Sequence, residues 1–201
     1  MTYNPDIHHR HSIRLKGYDY TGGGAYFVTI CVQGRECLFG SIVNGVMELS
    51  DAGRMVDNVW LTLPDRFPQV GLDEYIIMPN HFHGIIVNNN VDNPVGAGLP
   101  RPGFERPLIS GRVTQSGRVT QSGGVTPPQR TPSLGQIIGY FKYQSTKQTN
   151  IMRDNPGVPV WQRNYYERII RNEADLNAAR KYIAENPMKW AEDKENPGYI
   201  P

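Results

Sequence analysis

The sequence of residues 75–86 is YIIMPNHFHGII, with apolar residues on both sides of two histidines that one phenylalanine separates. This pattern predicts one long strand, or two halves of one strand, interrupted by Pro79-Asn80. Because side chains alternate along a strand, His81 and His83 are expected to leave the same face, with Phe82 in the core behind them.

The two histidines are candidate metal ligands. Two neutral imidazoles one strand step apart can chelate a single divalent ion. Two ligands are too few for a closed structural zinc site, which uses four. The alternative that remains open is a pair of half-exposed strand histidines, His81 and His83, without a ligand.

The segments around this stretch alternate between strand and helix patterns. Apolar and β-branched runs predict strands, Asn44-Gly45 predicts a hairpin turn, and capping residues with amphipathic periodicity predict helices. The predicted strands are 25–32, 37–42, 46–49, 72–78, 82–87 and part of 158–170. The first predicted helix begins at Ser50 or Asp51 and ends at about Leu63, before Pro64. The other two run from Leu134 to about Thr149, after Ser133, and from Glu173 to Asn186, after Asn172. This order predicts an α+β sandwich in which helices cover a mainly antiparallel sheet.

Residues 91–132 differ in composition from the rest of the chain. They are rich in Gly, Pro, Ser, Thr and Gln, and the hexad SGRVTQ occurs at 110–115 and again at 116–121. We interpret 91–132 as a disordered insertion within a single domain that spans 1–201. An alternative is a flexible basic segment that wraps around nucleic acid.

Composition and charge limit the classes of protein to which the chain could belong. The 201 residues carry a formal net charge of only +2, so the overall charge does not require a polyanionic partner. Cys31 and Cys37 are too few to crosslink a chain of this size, which fits a reducing compartment. The first residues lack the apolar segment of a signal peptide, and no run is long enough to cross a membrane. We therefore expect a cytoplasmic protein.

Tyr182 and Asn186 lie four residues apart on the last predicted helix, so their side chains share one face. A phenol beside an amide oxygen could combine a nucleophile with a metal ligand. The alternative is a tyrosine that packs on the sheet and an asparagine that ends the helix before Pro187. Tyr140 with Gln144 repeats the same spacing, so Tyr140 is a competing candidate.

Four stretches together resemble one protein family. They are YIIMPNHFHGII at 75–86, GYFK at 139–142 with Ser145-Thr146, WQRNYYERIIR at 161–171 and RKYIAENP at 180–187. In this order they resemble the HUH single-strand transposases, and most closely the REP-associated tyrosine transposases. The likeness covers nearly the whole chain apart from 91–132, and the ordered combination is far more specific than the two histidines alone.

This resemblance implies a ferredoxin-like sandwich and a set of roles. Tyr182 would be the nucleophile that forms a 5′-phosphotyrosine bond, and Tyr140 would be structural. His81, His83 and Asn186 would hold a divalent metal, Mg²⁺ or Mn²⁺.

The implied partner is single-stranded DNA that folds into hairpins, and a nucleoid-associated monomer or homodimer would act on it. Basic residues can contact phosphates, and tyrosines can stack on unpaired bases. The candidate DNA-binding residues are Arg10, Arg14, Lys16, Lys142, Lys147, Arg163, Tyr165 and Tyr166.

Three other functions stay open. The chain could be a domesticated protein that binds DNA hairpins without cutting them. It could be a metal-dependent hydrolase of small substrates, although beyond Asp73 and Glu74 the strand offers no acid or base up to Val87 other than the two histidines. RNA processing is the third alternative.

Overall fold

The computed structural model describes residues 17–89 and 132–199. The predicted insertion, apart from residue 132, and the basic residues Arg10, Arg14 and Lys16 therefore lie outside the described residues.

Four strands form the main sheet, in the order β4-β5-β1-β6 with all neighbours antiparallel. They are β1 (Gly24–Cys31), β4 (Val70–Ile77), β5 (His81–Asn88) and β6 (Tyr166–Ile170). The helices are α1 (Asp51–Leu61), α2 (Leu63–Arg66), α3 (Leu134–Met152) and α4 (Glu173–Glu185). Apart from a hairpin after β1, the main elements follow the order β1, α1, β4, β5, α3, β6, which is that of a ferredoxin-like sandwich. The predicted fold class is confirmed.

The prediction of one strand across Pro79-Asn80 is wrong, because β4 and β5 are antiparallel partners that a turn connects. Ile77 pairs with Phe82, and the Met78 amide donates to the His81 carbonyl at 2.8 Å. Proline has no amide hydrogen for a ladder bond, so the chain reverses there. The reversal places His81 at the first position of β5, beside the turn.

The predicted hairpin is confirmed as β2 (Gly40–Val43) and β3 (Val46–Leu49), which form a separate two-stranded sheet. Asn44 and Gly45 have φ angles of 50° and 76°, the left-handed values that this two-residue turn requires.

The first helix is shorter than expected. α1 is capped by the Ser50 hydroxyl, which accepts from the Gly53 amide, and it ends at Leu61. Pro64 lies in the first turn of the short helix α2 instead of stopping α1, because a missing amide hydrogen costs nothing in a first turn.

The two faces of the sheet have different coverings. One face packs on α1 and α3, around a buried group that includes Trp60, Phe82 and Phe141. The other face packs on α4, which buries Leu176 and Ile183 against the sheet. The second face also carries His81 and His83, so α4 is the helix that meets the histidine pair.

No helix among the described residues is long and apolar enough to cross a membrane.

Candidate functional site

His81 and His83 lie side by side on β5 and face α4, as the strand alternation predicts. Their ring centroids are 4.6 Å apart, and the residues are 1% and 4% exposed. They are therefore not the half-exposed strand histidines of the alternative interpretation. Phe82 between them is fully buried in the opposite core.

A neighbouring amide orients the first imidazole. The Asn80 side-chain nitrogen donates to the backbone carbonyls of Arg35 and Glu195, so its oxygen is left as an acceptor. That oxygen lies 2.9 Å from Nδ1 of His81, which must then carry the proton. The Nε2 atom of His81 consequently presents a lone pair to the cleft.

A hydroxyl on the adjacent strand contacts the second imidazole. Thr29 pairs with His83 in the register of β1 and β5, and its Oγ1 lies 2.8 Å from Nδ1 of His83. Metal-binding histidines are held in this way, through the nitrogen that does not bind the ion. His83 Nε2 is buried and has no hydrogen-bond partner among the described residues.

Helix α4 brings Tyr182 over the histidines. The phenol ring meets His83 edge-on at 5.2 Å and Phe27 at 5.8 Å between centroids, and the residue is 49% exposed. Burial raises the pKa of Tyr182, and the nearby carboxylates raise it further, whereas the adjacent Asn186 amide lowers it. The net pKa lies above its ordinary value, so the phenol is protonated at neutral pH.

The side chain of Asn186 lies at the end of α4, next to the histidine pair. Asn186 ends α4 as the C-terminal cap, and its side chain is also turned into the buried region beside His81 and Tyr182. Its Oδ1 atom has no hydrogen-bond partner within the described part of the chain. A buried acceptor without a donor is costly unless a cation or a water satisfies it.

The donor set fits a divalent ion. His83 Nε2 and Asn186 Oδ1 are buried without partners, and the lone pair of His81 faces the same space. No group of three or more His, Cys, Asp and Glu side chains with metal-binding geometry occurs within residues 17–89 and 132–199. The Asn186 amide would therefore have to act as a ligand with the two imidazoles.

An ion pair that the sequence analysis missed attaches α4 to the sheet. Arg180 donates from Nε and Nη2 to the two carboxylate oxygens of Asp73 on β4, at 2.7 and 2.6 Å. Asp73 lies at an irregularity in the pairing of β4 with β5, and its side chain is 3% exposed. The pair therefore attaches α4 to β4 at a position about half a helical turn before Tyr182.

A cleft of about 770 Å³ lies between the sheet and α4, and its walls include His81, His83, Tyr182 and Asn186. Tyr166 and Arg168 of β6 form part of its wall, and the segment after α4 contributes Lys189 and Asp193. The cleft therefore has aromatic, cationic and anionic groups around the histidines.

The remaining predicted residues lie in different places. Lys142 donates to the backbone carbonyls of Gln162 and Arg163 at 2.6 and 2.9 Å, so its ammonium group already makes two hydrogen bonds within the fold. Lys147 and Arg163 are exposed but do not line the cleft. Tyr165 and Tyr140 pack against the other core, so Tyr140 is remote from the histidine pair.

Protonation of the histidines should couple stability to pH. Burial, partly offset by the charge of Asp193, lowers the pKa of His81 to about 4, and burial holds the pKa of His83 well below its ordinary value. Between these values and the unfolded value of about 6.5, the unfolded chain binds more protons than the folded chain. Stability is therefore fully present above about pH 6.5 and decreases as the pH falls.

We expect the free energy of unfolding in EDTA to decrease as the pH is lowered from about 7.5 to about 4.5. Urea unfolding at several pH values measures it. The double variant His81→Gln/His83→Gln should lose less stability over the same range, because glutamine does not titrate. An equal loss in both proteins would contradict the assignment to these histidines.

No family model matches the chain. Among solved structures, a REP-associated tyrosine transposase bound to a REP hairpin aligns at 16% identity with a TM-score of 0.49, over 90% of this chain and 76% of that one. A candidate transposase from Deinococcus radiodurans aligns at 11% identity with a TM-score of 0.43, over 85% of this chain and 95% of that one.

A protein of Haemophilus influenzae strain Rd, described as an uncharacterized protein, is 42% identical over 196 residues, which is 96% of each chain. Identity at this level over nearly the full length of both chains shows common descent and a shared fold. The chain belongs to the same protein family as this Haemophilus influenzae protein.

Proposed function

We propose that this protein is a single-strand DNA transposase that cuts and rejoins DNA at hairpin sites through a covalent bond to Tyr182. The observation that carries the proposal is the meeting of the Tyr182 phenol, in one cleft, with two buried polar atoms that lack hydrogen-bond partners among the described residues, His83 Nε2 and Asn186 Oδ1. The resemblance of residues 75–86 and 180–187 to HUH transposases supports the same assignment.

The chain's own groups would hold a divalent metal, Mg²⁺ or Mn²⁺. Nitrogen ligands would come from His81 and His83, and an oxygen ligand from Asn186. Bound there, the ion would polarise the scissile phosphate and orient it for in-line attack. The hydrogen bonds from Asn80 and Thr29 would keep both imidazoles turned toward it.

Tyr182 would supply the nucleophile. Its oxygen attacks the phosphorus and loses its proton, the bond from phosphorus to the 3′ oxygen breaks, and the departing oxygen takes up a proton. The products are a 5′-phosphotyrosine and a free 3′ hydroxyl. Because the new bond is a phosphodiester, a second 3′ hydroxyl can displace the tyrosine without ATP. The raised pKa of the phenol agrees with a group that is inactive until DNA and metal are bound.

The cleft offers contacts for an unpaired strand. Tyr166 is 52% exposed beside the histidines, and an exposed aromatic ring can stack on a base. Arg168 lies next to it on the strand side that faces the cleft and can contact a phosphate.

A cleavage assay tests the proposal. The full chain is mixed with single-stranded hairpin DNA from the flanks of its gene, labelled on either end, with Mn²⁺ or with EDTA. We expect a protein–DNA adduct on a denaturing gel only with Mn²⁺. The adduct should carry the label from the 3′ side of the cut, and a polymerase should extend the released fragment.

Hairpin binding without any adduct would favour the hairpin-binding protein that does not cut. An adduct that carries the 5′-side label would contradict the proposed polarity. Cleavage without an adduct would indicate a hydrolytic nuclease, in which water and not Tyr182 attacks the phosphate.

A further inference from the structure

An arginine of β6 faces the cleft beside a ring that contacts the proposed nucleophile. Arg168 pairs with Phe27 in the register of β1 and β6, and both residues line the cleft. Side chains of directly opposed residues lie on the same face of a sheet, with Cβ atoms about 5 Å apart. The Phe27 ring contacts both His83 and Tyr182, at 5.5 and 5.8 Å between centroids. The Arg168 side chain therefore starts one strand away from these contacts.

An aspartate of α4 holds the Arg168 guanidinium. Arg168 Nη2 donates to Asp175 Oδ1 at 3.3 Å, and the two side chains are 62% and 26% exposed. The Oδ2 atom of Asp175 accepts from the Arg171 backbone amide, also at 3.3 Å. Because the backbone fixes one carboxylate oxygen, the charge-assisted bond to the other oxygen gives the exposed guanidinium a preferred position.

The same face of α4 carries Asp175 and Tyr182. Tyr182 follows Asp175 by about two helical turns, or about 10 Å along the axis, and both residues line the cleft. A guanidinium has five N–H donors, of which Arg168 uses one in bonds to the residues that the structure describes. The other donors are available to a phosphate, whose oxygens match the planar fork of an arginine.

The other end of the cleft is less favourable for a polyanion. Asp193 lies 3.7 Å from His81, which pairs with Cys31, about 13 Å further along β1 than Phe27. The side chains that line this end are Lys189, Glu192, Asp193, Lys194 and Glu195. Three carboxylates face two ammonium groups there, and the ammonium of Lys189 is already bonded to Glu185 at 2.7 Å. At the β6 end the guanidinium is more exposed than its carboxylate partner, so the field there attracts phosphate.

We propose that Arg168 binds a phosphate of the unpaired strand beside the one that Tyr182 attacks, and that Asp175 is the positioning residue that holds the guanidinium there. The inference rests on the proposed function. It adds to it the end of the cleft over which the strand enters and a carboxylate, on Asp175, that acts through Arg168.

Hairpin DNA with a single-stranded extension, bound in EDTA over a salt series and measured by fluorescence anisotropy, tests the Arg168 contact without cleavage. Arg168→Gln should weaken binding and reduce the slope of log affinity against log salt by about 0.7, which corresponds to one phosphate contact on a single strand. Arg171→Gln is the matched control, because it removes the same charge from an exposed side chain outside the cleft. It should change the slope by less than about 0.3.

The rate of adduct formation with Mn²⁺ at saturating hairpin DNA tests the role of Asp175. Asp175→Asn removes the charge that orients Arg168 and keeps an oxygen for the Arg171 amide. We expect the adduct to form about fivefold more slowly or less, because the strand is held less well in line. DNA affinity should stay equal or rise, since one negative charge leaves the cleft. Glu192→Gln, which removes a carboxylate from the other end of the cleft, should not slow the adduct.

Equal effects of Arg168→Gln and Arg171→Gln on the salt slope would overturn the proposal, because the charge would then act only through the field. An adduct that forms as fast in Asp175→Asn as in wild type would also overturn it. So would a parallel loss of rate, affinity and thermal stability, which would mean that Asp175 only supports α4. A wild-type chain that binds the hairpin without forming an adduct would reject the proposed function, and the salt slopes would still decide whether Arg168 contacts the strand.

Discussion

Tyr182→Phe is expected to abolish the covalent protein–DNA adduct and to lower strand cleavage by on the order of a thousandfold or more, because the only atom removed is the oxygen that we propose attacks the phosphorus. The phenylalanine ring keeps the edge-on contacts with His83 and Phe27, so the fold and the cleft wall should be unchanged. Hairpin affinity, measured by fluorescence anisotropy, should change by less than about twofold, because one uncharged hydroxyl contributes little to DNA binding.

Two other tyrosines provide matched controls. Tyr166→Phe removes a hydroxyl from the wall of the same cleft, and Tyr140→Phe removes one from the opposite core. Both variants should retain adduct formation. An adduct that persists in Tyr182→Phe and disappears in Tyr166→Phe or Tyr140→Phe would move the nucleophile to that tyrosine. Persistence in all three would reject these phenols as the nucleophile.

The sequence was sufficient for features that depend on local periodicity. The alternation around Phe82 correctly placed His81 and His83 on one face of the strand, and the spacing of Tyr182 and Asn186 placed both side chains on one face of a helix. The Asn44-Gly45 turn was equally local, since its left-handed angles depend on those two residues. The two face assignments needed only a period of two or of 3.6 residues.

The reversal at Pro79-Asn80 was predicted incorrectly for a physical reason. Apolar residues flank it on both sides, so the pattern is the same for one strand and for two paired strands. The absence of an amide hydrogen on Pro79 disfavours a continuous ladder but does not say where the chain goes next. Tertiary hydrogen bonds set the direction of the chain after Pro79, among them the bond from the Phe39 amide to the Pro79 carbonyl at 2.9 Å.

The sequence could not predict most of the groups that support the site, because they come from distant positions in the chain. Thr29 reaches His83 only through the register of β1 with β5, and Asp193 lies in a segment without a periodic pattern. Asp73 and Arg180 are 107 residues apart. Asn80, next to His81, is the one supporting residue that a search of sequence neighbours would have found.

Arg180→Ala is expected to lower the free energy of unfolding by about 2–3 kcal/mol, because it leaves the Asp73 carboxylate buried without its partner. Burial acts to raise the pKa of Asp73, but the hydrogen bonds from Arg180 and from the Glu74 amide hold it below its ordinary value of 3.8. The pair therefore stabilises the fold above about pH 4, and this stability is lost as the pH falls through the lower folded pKa. Urea unfolding should show the largest difference from wild type near neutral pH and a smaller one in acid.

Lys181→Ala is the matched control for this prediction. It removes the same charge from the next residue of α4, where the ammonium faces solvent and lies 3.7 Å from Glu185. Such an exposed pair contributes little to stability, so Lys181→Ala should be nearly as stable as wild type. Adduct formation should also fall in Arg180→Ala and not in Lys181→Ala, because α4 carries both Tyr182 and Asn186. Equal stability of the two variants would mean that the apolar contacts of Leu176 and Ile183 hold the helix without the ion pair.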